Sequence, residues 1–180
     1  MKKVILPLFY LAIASVAANA QKVYATKAGQ IKFNASSPIE KIEAVNNQVD
    51  SKFVDKSGQI VFSALIKSFK FENQLMEDHF NENYLESSKI PKAEFRGFIS
   101  NIASIDFTKD GKYSVTVEGT LNLHGVPQKV STSGTLEIVG GKPVIIGVFK
   151  VKIKDYGITG LYIGDKIASE AEISVNCKYE

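Results

Sequence analysis

From Tyr113 to Leu123 the side chains alternate without a slip: Val115, Val117, Gly119, Leu121 and Leu123 fall on one face, and Ser114, Thr116, Glu118, Thr120 and Asn122 on the other. A period of two sustained over this length is incompatible with an amphipathic helix, whose apolar positions recur every three to four residues. The segment is a strand with one apolar and one wet face, the arrangement of an antiparallel sheet covered on one side.

The same signal recurs along the chain. Lys129 to Val139 places Val130, Thr132, Gly134, Leu136 and Ile138 inward. Val144 to Lys154 does so with Ile145, Gly147, Phe149, Val151 and Ile153, and Ala168 to Tyr179 with Ala171, Ile173, Val175, Cys177 and Tyr179. Upstream, Gln59 to Lys67 alternates through Ile60, Phe62, Ala64 and Ile66, and Ala93 to Phe107 is expected as one long strand with a bulge near Gly97. Lys109-Asp110-Gly111-Lys112, Gly140-Gly141-Lys142-Pro143 and Ser57-Gly58 supply turn residues between these runs. The pattern predicts an all-β, single antiparallel domain of about eight strands.

One stretch departs from it. Glu72 to Ser88 is rich in Asn and Glu, and the spacing of Leu75, Met76, His79, Phe80, Tyr84 and Leu85 predicts one or two short helices with an apolar stripe. Ile90-Pro91 sets its end. A helical insert between strands is expected to cap one end of the sheet, with Glu77 and Asp78 on its wet face.

About eight antiparallel strands form either a sandwich or a closed barrel, and closure removes both edges. The inward positions mix large residues with Gly119, Gly134, Gly147, Ala64 and Ala171. In a barrel of this size such residues leave room for one small ligand; alternatively they mark places where strands coil or approach closely.

The first twenty residues bear on compartment. Lys2 and Lys3 precede an apolar run from Val4 to Ala17, and Ala18-Asn19-Ala20 supplies small residues for cleavage after Ala20. This reads as a secretory signal peptide over 1–20, too short for a membrane span of about 20 apolar residues. The expected mature domain, 21–180, carries no stable membrane anchor and is periplasmic or secreted. The leader holds two of the 22 basic residues, leaving 20 against 19 acidic ones, a balance that argues against nucleic acid. Cys177 is the sole cysteine, so no intrachain disulfide can form. Its parity makes it wall lining; pairing with another chain is the alternative, and oligomeric state, including a homodimer, stays open.

Three segments resemble a known family. Met76-Glu77-Asp78-His79-Phe80, followed by Tyr84-Leu85 and Lys89-Ile90-Pro91-Lys92-Ala93-Glu94-Phe95, resembles the helix-and-strand signature of the YceI-like, polyisoprenoid-binding proteins. Gly119-Thr120-Leu121-Asn122-Leu123-His124-Gly125-Val126, with Lys129-Val130 behind it, resembles the hairpin of that family, and Lys154-Asp155-Tyr156-Gly157-Ile158 its closing motif. The resemblance implies a lipocalin-like barrel, exported in bacteria, enclosing an isoprenoid, quinone-like or related amphiphilic lipid, with no other cofactor.

An isoprenoid tail offers no hydrogen bonds, so its site needs a dry apolar lining with a polar group at the mouth. The expected lining is Phe62, Phe69, Phe71, Met76, Phe80, Tyr84, Phe95, Leu121, Leu123, Phe149, Val151 and Ile153; each could equally serve only the core. No nucleophile-elbow, phosphate-cradling or dinucleotide motif is present, so no catalytic residue is expected. His79 and His124 are the only histidines; two ligands make a weak metal site, and none is assigned. The rival readings are a ligand-free structural or partner-binding envelope protein and a metal-dependent enzyme using His79 and His124.

Overall fold

A computed structural model describes residues 21–180; the expected leader, 1–20, lies outside the described residues. In chain order the elements are β1 (Val23–Ser36), β2 (Glu43–Val54), β3 (Gln59–Leu65), β4 (Lys70–Phe71), α1 (Gln74–His79) and a π turn (Phe80–Tyr84). They are followed by β5 (Lys92–Ile99), β6 (Gly111–Leu123), β7 (Val126–Val139), β8 (Lys142–Lys152) and β9 (Ile167–Lys178). Antiparallel pairing runs β1-β9-β8-β7-β6-β5-β3-β2, and β2 pairs back onto β1. The sheet therefore closes into an eight-stranded barrel, which settles the choice between sandwich and barrel.

β3 and β4 occupy the same side of β2, at Asp50–Phe53 and Ala44–Val45 respectively. The break between them is bridged by the buried Asn46, whose Nδ2 donates to the Leu65 carbonyl at 3.0 Å. Asn46 Oδ1 also accepts from the Gln48 amide, fixing an irregularity that moves the inward positions of β2 from even to odd numbers. Among the described residues no helix is long and apolar enough to cross a membrane.

One end of the barrel is solid. Tyr24, Val49, Phe53, Ile60, Ile99, Leu136, Ile138, Cys177 and Tyr179 fill it and are almost wholly buried. Phe53 stacks with Tyr24 at 6.1 Å between centroids and sits 5.9 Å from Phe107. The Tyr179 hydroxyl is 2.7 Å from Ser51 Oγ, which donates to the Val61 carbonyl. Side chains buried to this degree pack closely, and such a plug leaves no room for a ligand.

The expected strand from Ala93 to Phe107 ends at Ile99. Ser100 and Asn101 turn the chain, with Asn101 donating to the Ser114 carbonyl and accepting from the Thr116 amide. Ile102, Ile105 and Phe107, which mimic a continuing strand, pack instead against the plug. No bulge occurs at Gly97: its pairing is unbroken with Ile60 on one side and Gly119 on the other. Gly97 and Gly119 are a close-approach pair, and the ring of Phe95 lies over both, 2.7 and 2.6 Å from where their Cβ atoms would be.

Candidate functional site

The inward faces of the barrel stop filling the interior below the plug. Ile31, Phe33, Phe95, Leu121, Leu123, Phe149, Ile173 and Val175 point inward yet are neither buried nor fully exposed. The reason is that they face a void: a cavity of about 510 Å³, almost entirely apolar in its lining. This lies within the roughly 300–1,000 Å³ typical of small-molecule sites.

All twelve residues expected from the sequence to line a site border this one cavity. Phe62 comes from β3, Phe71 from β4, Phe95 from β5, Leu121 and Leu123 from β6, and Phe149 and Val151 from β8. Phe69 precedes β4, Ile153 follows β8, and Met76, Phe80 and Tyr84 come from the insert. Gly147 opens space beside Gly134, its partner across β7 and β8, where the chains approach so closely that a Cβ on Gly134 would lie 2.8 Å from the Ile146 carbonyl oxygen. A Cβ on Gly147 would meet nothing within 4 Å. Gly119, by contrast, contributes no space because Phe95 covers it.

The insert forms the roof. Asn73 caps α1 by accepting from the Leu75 and Met76 amides at 2.9 and 3.4 Å. Phe80 joins Phe33, Phe69 and Phe71 in a ring cluster with centroid separations of 5.1 to 5.9 Å. Glu77 is not on the wet face: it is buried, its Oε1 pairs with Lys70, and its Oε2 accepts from the Phe71 amide at 3.3 Å. Because Lys70 and Phe71 are β4, this carboxylate ties the helix to the barrel. Asp78 is exposed as expected.

The mouth is bordered by three segments, 40–42, 73–79 and 162–167, which bring Glu40, Asn73, His79 and Lys166 beside the apolar lining. Apolar side chains stand free around it, with Ile39 68 %, Leu75 61 % and Leu161 94 % exposed.

His79 is exposed at this mouth, whereas His124 lies in the β6–β7 hairpin in a left-handed conformation, φ 52°. Its Nε2 is 3.3 Å from Glu86 Oε2 and its Nδ1 3.2 Å from the Tyr156 carbonyl. His124 thus links the hairpin to the insert and to the turn after β8. Lys89 and then His124 hold the Glu86 carboxyl below the usual range. Among the described residues no group of three or more His, Cys, Asp and Glu side chains converges on a metal position.

The lining that sequence reasoning missed includes Ile31, Phe33, Ala35 and Ile42 from β1 and the turn after it, and Ile158, Tyr162 and Ile163 from the segment between β8 and β9. Bulges between Thr26 and Gly29 and between Gly29 and Ile31 break the alternation of β1. The Ile31-Lys32-Phe33-Asn34-Ala35 alternation was the available signal.

Two solved structures share this architecture. A polyisoprenoid-binding domain from Saccharophagus degradans, implicated in plant cell wall breakdown, superposes with a TM-score of 0.73 at 13% identity, covering 88% of this chain and 97% of that one. BcnA of Burkholderia cenocepacia gives a TM-score of 0.69 at 16% identity, covering 82% and 94%. At such identities the likeness establishes the fold. No curated protein matches the chain. The YceI-like domain family matches residues 18–179, a span that contains every strand of the barrel and the whole cavity, and the chain therefore belongs to that family.

Proposed function

We propose that this protein binds an isoprenoid, quinone-type or other amphiphilic lipid in its barrel cavity, without catalysis, as a carrier, store or sink in the bacterial envelope. The observation that carries this reading is the cavity itself: overwhelmingly apolar, blind at the plugged end, and with Glu40, His79 and Lys166 gathered at its mouth. Inward aromatic and aliphatic side chains left in contact with a void gain free energy when a hydrocarbon replaces water there. The polyisoprenoid-binding domain that shares the fold supports the ligand class, and the leader expected over 1–20 supports the location.

At roughly 0.3 kcal/mol per heavy atom, a tail of about 20 carbons would contribute about 6 kcal/mol. That corresponds to a dissociation constant of tens of micromolar. Tighter binding requires either a longer tail or a polar contribution from the head.

Native mass spectrometry of the protein, expressed with its leader and purified without detergent, tests the reading, followed by solvent extraction of any adduct. A stoichiometric polyprenyl or quinone mass is expected. A bare protein mass, unchanged after incubation with quinones and polyprenols, would leave a ligand-free platform as the function.

A further inference from the structure

The wall of the barrel is not continuous. β7 and β8 pair from Val139–Lys142 as far as Gly134–Gly147 and no further. Yet β7 remains paired with β6 down to Val126, and β8 with β9 down to Lys152. The ladder forks at the two facing glycines, and below them the two strands present unpaired edges to each other. Among the described residues two side chains reach across the fork: Thr132 Oγ1 lies 3.4 Å from the Val148 carbonyl and 3.2 Å from that of its neighbour Ser133, and Gln128 Nε2 donates to the Asp155 carbonyl at 2.8 Å.

A second cleft, of about 450 Å³ and mostly polar, lies along this seam. Val130, Thr132, Phe149 and Val151 border both it and the apolar cavity, so the two spaces lie on either side of the same stretch of unpaired wall. Unpaired peptide groups need a polar partner or water, so the seam is unsuited to a hydrocarbon and suited to a polar group attached to one. Its outer rim carries Lys129, Lys150 and Lys152, all exposed. Among the described residues none of the three makes an ion pair. Asp155 is the one carboxylate residue of the cleft lining; Glu172 and Glu170 stand opposite Lys150 and Lys152 on β9, on the side away from the seam.

We propose that the seam between β7 and β8 is a head-group subsite: an anionic head sits among Lys129, Lys150 and Lys152 while its tail passes Val130 and Val151 into the apolar cavity. The proposal rests on the lipid-binding reading above and adds to it the charge of the ligand and the route by which it enters the wall.

The test compares two ligands with the same tail, geranylgeranyl monophosphate and geranylgeraniol, by displacement of a fluorescent fatty-acid probe. The phosphate is expected to bind about tenfold more tightly at low ionic strength, with the advantage shrinking as salt is added. The variant Lys129→Gln/Lys150→Gln/Lys152→Gln should abolish the advantage while leaving the alcohol's affinity within about twofold, since these exposed side chains do not touch the tail. A charge-matched control, Lys27→Gln/Lys32→Gln/Lys52→Gln, on exposed positions of β1 and β2, should keep it. Equal binding of both ligands by the unmodified protein, or an advantage that survives the seam variant, overturns the subsite alone. Binding of neither ligand overturns the subsite together with the lipid reading.

Discussion

The ring of Tyr84 rests on the backbone of Gly160, where a Cβ would come within 2.7 Å of its Cε1. Tyr84 ends the π turn of the insert, and Gly160 lies in the segment between β8 and β9, so this contact joins two sides of the mouth. Burial, and then the neighbouring Tyr162, push the Tyr84 hydroxyl above its ordinary value.

Gly160→Val should push Tyr84 outward and part the two segments. The expected result is a ligand release rate raised several-fold with only a small fall in unfolding midpoint, because Gly160 is exposed and Tyr84 packs against the edge of the core, not within it. Stopped-flow displacement of a bound fluorescent lipid reads the rate; an unchanged rate would show that the mouth does not control exit.

Gly147→Leu tests the cavity from inside. The position faces open space, so the side chain can enter without a clash and occupies volume a ligand would use. Lipid binding should fall by about tenfold or more, while stability in urea stays level or rises, since a strand glycine is replaced by a residue that packs. Loss of binding with loss of folding would contradict this geometry.

Cys177 is fully buried, and burial pushes its thiol up to about 12 from 9.0. Tyr179 is raised in the same direction, chiefly by burial. A group whose folded value is raised stabilises the protein below its unfolded value and ceases to do so as pH rises through the folded one. Urea midpoints should therefore fall between about pH 9 and 12, and Cys177→Ala should make that fall shallower. At pH 8 a thiol reagent should label Cys177 only after unfolding; rapid labelling of the native protein would refute the buried position.

Glu77→Ala removes the partner of Lys70 and leaves the Phe71 amide without its acceptor. A cost of about 1–3 kcal/mol follows for the buried interactions lost. Amide exchange should quicken at Phe71 and through α1 before it does in β6 or β7. Uniform quickening across the barrel would assign Glu77 to global stability instead.

What could be read from the residues divides along a physical line. β6 through β9 were legible because their inward positions, Thr132 apart, are apolar or glycine and their phase never slips; Val115, Leu136, Ile145 and Cys177 lie where parity put them. β1 and β2 were not, because bulges shift their phase and because the inward positions of β2 include Asn46 and Ser51, polar residues satisfied by partners far off in the chain. Asn46 and Ser51 look like outward positions until the Leu65 and Val61 carbonyls are in place.

The candidate site was legible for a related reason. Phe62, Phe95, Leu121 and Phe149 are inward by parity, and inward residues below the plug border the cavity. The fork of β7 from β8 left no trace, since each strand alternates perfectly along its other, paired neighbour. Glu77 was misread because nothing local shows that Lys70 and Phe71 form a strand beneath it.

Closure of the ring between β1 and β9 joins the earliest-made strand to the latest. Contacts of such large sequence separation form slowly, and until they form, β1 and β9, or β8 while β9 is still missing, present bare edges able to recruit another chain. A ribosome that has not yet released residues 167–180 holds a sheet that cannot shut. Premature termination before β9 would therefore yield an aggregating species rather than a weaker binder, and the cell's handling of the nascent chain becomes as decisive for yield as the strength of its core.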